Sequence, residues 1–191
     1  RPDVNKVRDI MRQVGKALQH LHKKEVMHGD LKMLNVIRVG EHLQLIDLDA
    51  AVTFKEDEED FAGAKFSSGV LPPEMLAYLG DDKSLESFER YFKKQRRASV
   101  KALPLPPGGE TSEESMNGDL WRKIAPQKTK RGKPIVVKTY LDDRKPNEGE
   151  GLPYKLVKAN PKIDIWAFGI MLFKLCSGED LFKVNRDDDL A

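Results

Sequence analysis

Four chemistry-bearing side chains, Asp30, Lys32, Asn35 and Asp47, stand in fixed order between a helix-forming stretch and a short apolar one. The first three belong to His28-Gly29-Asp30-Leu31-Lys32-Met33-Leu34-Asn35, and the fourth closes Leu43-Gln44-Leu45-Ile46-Asp47. Groups of this kind act together only when a rigid scaffold holds them in one place. The surrounding residues supply that scaffold. Upstream, Val4, Val7, Ile10, Met11, Val14, Ala17, Leu18 and Leu21 recur at spacings of three and four, the period of an amphipathic helix. Asp3 is placed to cap its start, and Lys23-Lys24 suit the negative end of its dipole. Val26-Met27 reads as a strand-like step into the His28–Asn35 loop. Asn35–Val39 and Leu43–Asp47, joined by Gly40-Glu41-His42, read as a hairpin. The expected order is helix, polar loop, hairpin, acidic anchor.

The rest of the chain is less regular. Leu48 to Pro73 shows no period and reads as a looser stretch; it holds the acidic run Glu56–Asp60 and closes on Pro72-Pro73-Glu74. One helix is expected from Ser84 to Lys94, with Leu85, Phe88 and Phe92 on one face. Leu103–Gly109 is rich in Pro and Gly, Glu110–Ser115 in Ser, Thr and Glu, and residues 121–138 carry seven basic side chains and no acidic one. Such composition cannot bury enough apolar surface to offset its ordering entropy, so most of 95–150 is expected to be mobile. Regular patterning returns at Ile163–Cys176, apolar nearly all round, as in a helix through the centre of a domain. The expected division is 1–74, a largely flexible insert over 75–160, and 161–191.

Composition excludes several classes. At 191 residues the chain allows one sizeable core, and its 34% charged and 39% hydrophobic content place part of it outside that core. A net charge of +2 gives no global attraction to nucleic acid or to a membrane surface. One cysteine, Cys176, rules out an internal disulfide framework and suits a reducing compartment. With four histidines and one cysteine, no zinc-type spacing can be built. No run of about 18 apolar residues exists. The chain opens on Arg1-Pro2-Asp3 without an initiator Met and reads as a piece of a longer protein.

Five segments in this order resemble the C-terminal lobe of a eukaryotic-type protein kinase of the serine/threonine branch. His28–Asn35 is similar to the family's catalytic loop. Asp47-Leu48-Asp49 stands where Asp-Phe-Gly belongs, and Pro72-Pro73-Glu74 stands for Ala-Pro-Glu. Asp164–Gly169 resembles the central helix with its buried aspartate, and Ser177 through Phe182 resembles the turn after it. The resemblance covers residues 3–74 and 161–182. It implies an α+β fold, mainly helical, with a short β-hairpin, incomplete at both ends. The glycine-rich loop and strand lysine would precede residue 1, and the arginine that pairs with Glu74 would follow residue 191. It implies ATP-dependent phosphoryl transfer to serine or threonine of a protein substrate, with ATP and Mg²⁺ as cofactors. The lobe would be inactive alone and cytoplasmic or cytoplasm-facing.

The residue roles follow from that resemblance and from the chemistry. A hydroxyl attacking a phosphoryl group needs a proton acceptor, which Asp30 supplies; Lys32 stabilises the charge on the transferred group. Mg²⁺ takes hard oxygen donors, for which Asn35 offers an amide oxygen and Asp47 a carboxylate. Lys32, two residues after Asp30, is typical of the serine/threonine branch, and Ser67 stands where that branch places a hydroxyl facing the loop. His28 is expected to hydrogen-bond backbone, Asp164 to tie down the loop, Trp166 and Phe168 to be core, and His20 and His22 to lie on the surface. Three features depart from the family pattern. Gly29 replaces an arginine that would pair with a phosphate on the activation segment. Leu48 and Asp49 replace phenylalanine and glycine, and the interval from Glu74 to Asp164 is far longer than usual. Asp49 in particular sustains a competing reading, a pseudokinase or scaffold lobe that binds partners without catalysis. A third reading, a small-molecule phosphotransferase, conflicts with Pro72-Pro73-Glu74 and the Asp164 helix, which shape a peptide-binding floor.

Overall fold

The computed structural model describes residues 2–55, 60–102, 123–128, 134–141, 151–186 and 188–190, with backbone alone over 93–102 and at 128. It divides into two compact units, Arg1–Met75 with Val157–Ala191, and Leu76–Leu156. Met75 and residues 157–160 therefore group with the first unit.

In the first unit, α1 (Val4–His22) starts where Asp3 accepts hydrogen bonds from the amides of Asn5 (3.0 Å) and Lys6 (3.3 Å). These satisfy two of the orphan donors of the first turn. Its stripe of Met11, Val14 and Leu18 is buried. β1 (Val26–Met27) pairs antiparallel with β4 (Val52–Thr53). Between them stands the hairpin of β2 (Val36–Val39) and β3 (His42–Leu45), registered Val36 opposite Leu45 and Val39 opposite His42. The hairpin is shorter than expected, because residues 33–35 form a 3₁₀ turn and only Gly40-Glu41 make the connection. Gly40 takes φ +60°, a conformation glycine adopts at no steric cost.

The second helix of this unit, α3 (Pro161–Ser177), follows α2 (Asp82–Ala102) of the other unit in chain order. Asn160 caps it by accepting from the Lys162 amide (2.9 Å), Pro161 opens it, and Gly178 at φ +77° ends it. The core cluster joins Met11, Val14 and Leu18 of α1 to Leu31, Val70, Ala167 and Met171. The expectation that α3 is enclosed on all sides is corrected: Ile163, Asp164, Ala167 and Met171 make one buried stripe, while Ile165 is 56% exposed and Leu172 and Phe173 about as open as each other. Trp166 and Phe168 are half-buried, and Phe168 packs against the core cluster as expected.

The supposedly loose stretch is corrected most sharply. Phe61-Ala62-Gly63 and Phe66 through Pro72 are buried. Their backbone is paired to distant segments instead of to a regular element. Ala62 N–H donates to the Val157 carbonyl (2.9 Å) and Ala159 N–H to the Asp60 carbonyl (2.8 Å), with Phe61 bridged to Lys158. Gly69 N–H donates to the Asp188 carbonyl (2.8 Å). Buried backbone needs such partners, and here tertiary contacts supply them.

The second unit contains a three-stranded antiparallel sheet that the sequence pattern did not suggest, ordered β5 (Leu76–Tyr78), β7 (Pro134–Val137), β6 (Gln127–Lys128). Its helix α2 runs Asp82–Ala102, longer than the expected Ser84–Lys94, and Asp81 accepts from the Ser84 amide at 2.7 Å at its start. Phe88 is fully buried, with ring centroids 4.8 Å from Phe92 and 6.3 Å from Tyr154. The Tyr154 hydroxyl donates to the Thr139 carbonyl (3.0 Å), and burial pushes its pKa above the ordinary phenol range. The Leu103–Gly109 and Glu110–Ser115 blocks, residues 121–122 and 129–133 of the basic block, and Glu56–Glu59 lie outside the described residues. The expected mobility of 95–150 falls largely on those residues. Among the described residues, no helix is long and apolar enough to cross a membrane.

Candidate functional site

The polar loop between β1 and β2 is held from below by one carboxylate. Asp164, in the first turn of α3 and 1% exposed, accepts from the His28 amide at Oδ2 (2.8 Å) and the Gly29 amide at Oδ1 (2.9 Å). A third donor is His22 Nε2, 2.8 Å from Asp164 Oδ2. Three donors compensate the desolvation of a buried charge. The expected surface position of His22 is thus corrected: its ring leaves the end of α1, lies edge-on to Phe54, and turns inward to Asp164. Its place at the edge of the α1 apolar stripe gave no sign of that partner. His20 is exposed as expected.

His28 is fully buried and bonds backbone on both ring nitrogens. Nε2 donates to the Ile46 carbonyl (3.1 Å), and Nδ1 accepts from the Asp30 amide (3.4 Å). It therefore ties the loop to the end of β3 and orients the Asp30 backbone.

Gly29 sits at φ +79°, and a Cβ placed on it would run into the Ala50 carbonyl oxygen. The loop thus packs directly against the segment after Asp47, a close approach that only glycine permits. The residue that departs from the arginine of the resembling family is the one this packing requires.

Above that base the side chains converge. Asp30 and Lys32 are each 13% exposed, with Lys32 Nζ 3.2 Å from Asp30 Oδ2. Lys32 Nζ also donates to Ser67 Oγ (2.7 Å), and Ser67 is buried. Asn35 Nδ2 donates to the Asp30 carbonyl (2.8 Å) and to Asp30 Oδ2 (3.4 Å). Asp30 Oδ1 is buried and accepts no hydrogen bond among the described residues. A carboxylate oxygen in that state is poised to take a proton or a donor from an incoming group.

Asp47 is brought beside this cluster by the hairpin. Ile46 N–H donates to the Asn35 carbonyl (3.0 Å), so the residue before Asp47 is fixed to Asn35. Asp47 itself is exposed at φ +62°, a left-handed conformation that costs a non-glycine residue about 1–2 kcal/mol and that Asp tolerates better than most. Asp49, at the glycine position of the resembling motif, turns away to an ion pair with Lys65 (2.7 Å), an exposed contact worth little to stability. Among the described residues no three His, Cys, Asp or Glu side chains gather into a metal cage. Asn35 and Asp47 offer two hard oxygen donors, the small protein share usual for Mg²⁺ that also binds phosphate and water.

Residues 3–88 match the family model of the protein kinase domain. The match supports a protein kinase and suggests phosphoryl transfer to proteins. It takes in α1, the polar loop, the hairpin and Pro72-Pro73-Glu74, while α3 with Asp164 lies beyond it. Proteins of that family generally use ATP and Mg²⁺, and the oxygen donors at Asn35 and Asp47 suit such a pair.

Proposed function

We propose that this chain forms the substrate-side floor of an ATP-dependent kinase that phosphorylates serine or threonine in proteins. The observation that carries the reading is Asp30: one carboxylate oxygen is held by Lys32 and Asn35, and the other is buried and has no partner among the described residues. The partnered oxygen fixes the side chain, and the free one faces the work of accepting a proton from an attacking hydroxyl. Lys32 places an ammonium 3.2 Å from the partnered oxygen, where charge on the group in transfer needs a counter-charge. Asn35 and Asp47 would hold Mg²⁺, which when bound with ATP neutralises phosphate charge and orients the phosphoryl group. Ser67, which accepts from Lys32 (2.7 Å), gives the ammonium a second fixed partner beside Asp30.

Serine/threonine preference rests on Lys32 and Ser67 acting as one unit. Phosphotransfer by the full-length protein onto a mixed peptide library tests it. Label in phosphoserine and phosphothreonine is expected, reduced at least about 100-fold in an Asp30→Asn control. Label confined to tyrosine would refute the preference, and absence of label with both proteins would favour a scaffold.

A further inference from the structure

The turn after α3 ends in Val184–Arg186 and Asp188–Leu190, which neither the catalytic cluster nor the loop-tethering contacts use. It is clipped back on itself: Val184 bridges Leu190, Asn185 N–H donates to the Asp189 carbonyl (2.7 Å), and Asp189 N–H donates to Asn185 Oδ1 (3.0 Å). Asp188 at its tip takes φ +62°, a conformation that persists only where surrounding contacts impose it. Here they do. The Asp188 carbonyl accepts from Gly69 N–H (2.8 Å), and a Cβ on Gly69 would meet the side chain of Val184 and the Asp188 carbonyl oxygen (2.5 Å). Only a small cavity, about 30 Å³, is left where Lys32, Gly69, Val184 and Asp188 meet, room for about one water.

Within this clip one carboxylate is buried. Asp189 Oδ1 accepts from the Ser68 amide (2.9 Å) and lies 3.4 Å from Ser68 Oγ, and Ser68 Oγ in turn accepts from the Leu190 amide (2.9 Å). Ser68 directly follows Ser67, whose hydroxyl receives the Lys32 ammonium. We infer that Asp189 is a positioning residue for the phosphoryl-transfer site, acting through the Ser67-Ser68 backbone to hold the hydroxyl that aims Lys32. The inference rests on the proposed kinase reading, and the tethering contacts stand independently of it.

The bond that matters is acceptor oxygen to the Ser68 amide, so a neutral acceptor should replace it. Asp189→Asn keeps such an oxygen and Asp189→Ala removes it. In the full-length protein, Asp189→Ala should lower kcat for a peptide substrate at least tenfold while KM for ATP stays within twofold, because a displaced Lys32 impairs the reaction more than nucleotide binding. Asp189→Asn should stay within threefold of wild type. Hydrogen exchange gives a readout that does not depend on turnover: the Ser68 and Gly69 amides should exchange at least tenfold faster in Asp189→Ala and as in wild type in Asp189→Asn. Unchanged exchange in Asp189→Ala, or equal loss of kcat in both variants, would overturn the positioning role. A wild-type protein without phosphotransfer but with the predicted exchange pattern would instead sink the kinase reading and leave the tether standing.

Discussion

Gly29 offers the cleanest test of how the polar loop is built. Replacing it with alanine adds one methyl group at φ +79°, directly against the Ala50 carbonyl oxygen. Two costs add. The left-handed backbone costs a non-glycine residue about 1–2 kcal/mol. Relief of the contact must move backbone rather than a flexible side chain, and overpacking of that sort costs about 1–3 kcal/mol. The expected loss of unfolding free energy is therefore about 2–5 kcal/mol. Gly40→Ala isolates the first cost, since Gly40 has φ +60° and nothing within 4 Å of an added Cβ. It should lose only about 1–2 kcal/mol. Urea unfolding of both variants beside the wild type measures the difference. Equal losses, or a Gly29→Ala protein as stable as wild type, would refute the close approach of the loop to Ala50.

Three further outcomes follow from the geometry. Ser67→Ala removes the acceptor of the Lys32 ammonium (2.7 Å) and should lower kcat about tenfold or more, with Ser67→Thr retaining most of it; steady-state kinetics on a serine peptide check this. Activity should survive phosphatase treatment: Gly29 offers no phosphate partner, and the stretch after Asp49 is already fastened by the Thr53–Asp60 hydrogen bond (2.6 Å) and the pairing of 60–62 with 157–159, so loss of most activity after dephosphorylation would contradict it. Burial holds the Asp188 carboxyl above its ordinary value of 3.8, so its contribution to stability is present below that value and lost as pH rises through the folded one. Asp188→Asn, which keeps a residue tolerant of φ +62°, should raise Tm at pH 7 and give no gain below about pH 3.

The parts of the molecule that were legible in the sequence are those governed by local rules. The period of α1, its Asp3 cap, the hairpin around Gly40 and the Pro161–Gly178 frame of α3 are each written in neighbouring residues. The cluster of Asp30, Lys32, Asn35 and Ser67 was legible as a motif, and its Lys32–Ser67 bond spans a segment that no periodicity describes. What escaped was set by distant partners. Phe61 through Pro72 look irregular because their hydrogen bonds run to 157–159 and 188–190 rather than along a ladder of their own. His22 turns inward only because Asp164, far along the chain, arrives beneath it. The β5–β7–β6 sheet joins strands separated by a long interval, one of them only two residues, too short for alternation to be seen.

We propose that the Asp30 oxygen without a hydrogen-bond partner among the described residues accepts the substrate proton. Asp30→Asn changes a single atom group, keeps the shape that Lys32 and Asn35 hold, and removes the base. The kcat of the full-length protein on a serine or threonine peptide, measured for wild type and Asp30→Asn at saturating ATP and Mg²⁺, is the direct test. A fall of at least about 100-fold with KM for ATP unchanged is predicted. Turnover of the Asn variant at the wild-type rate would contradict the account.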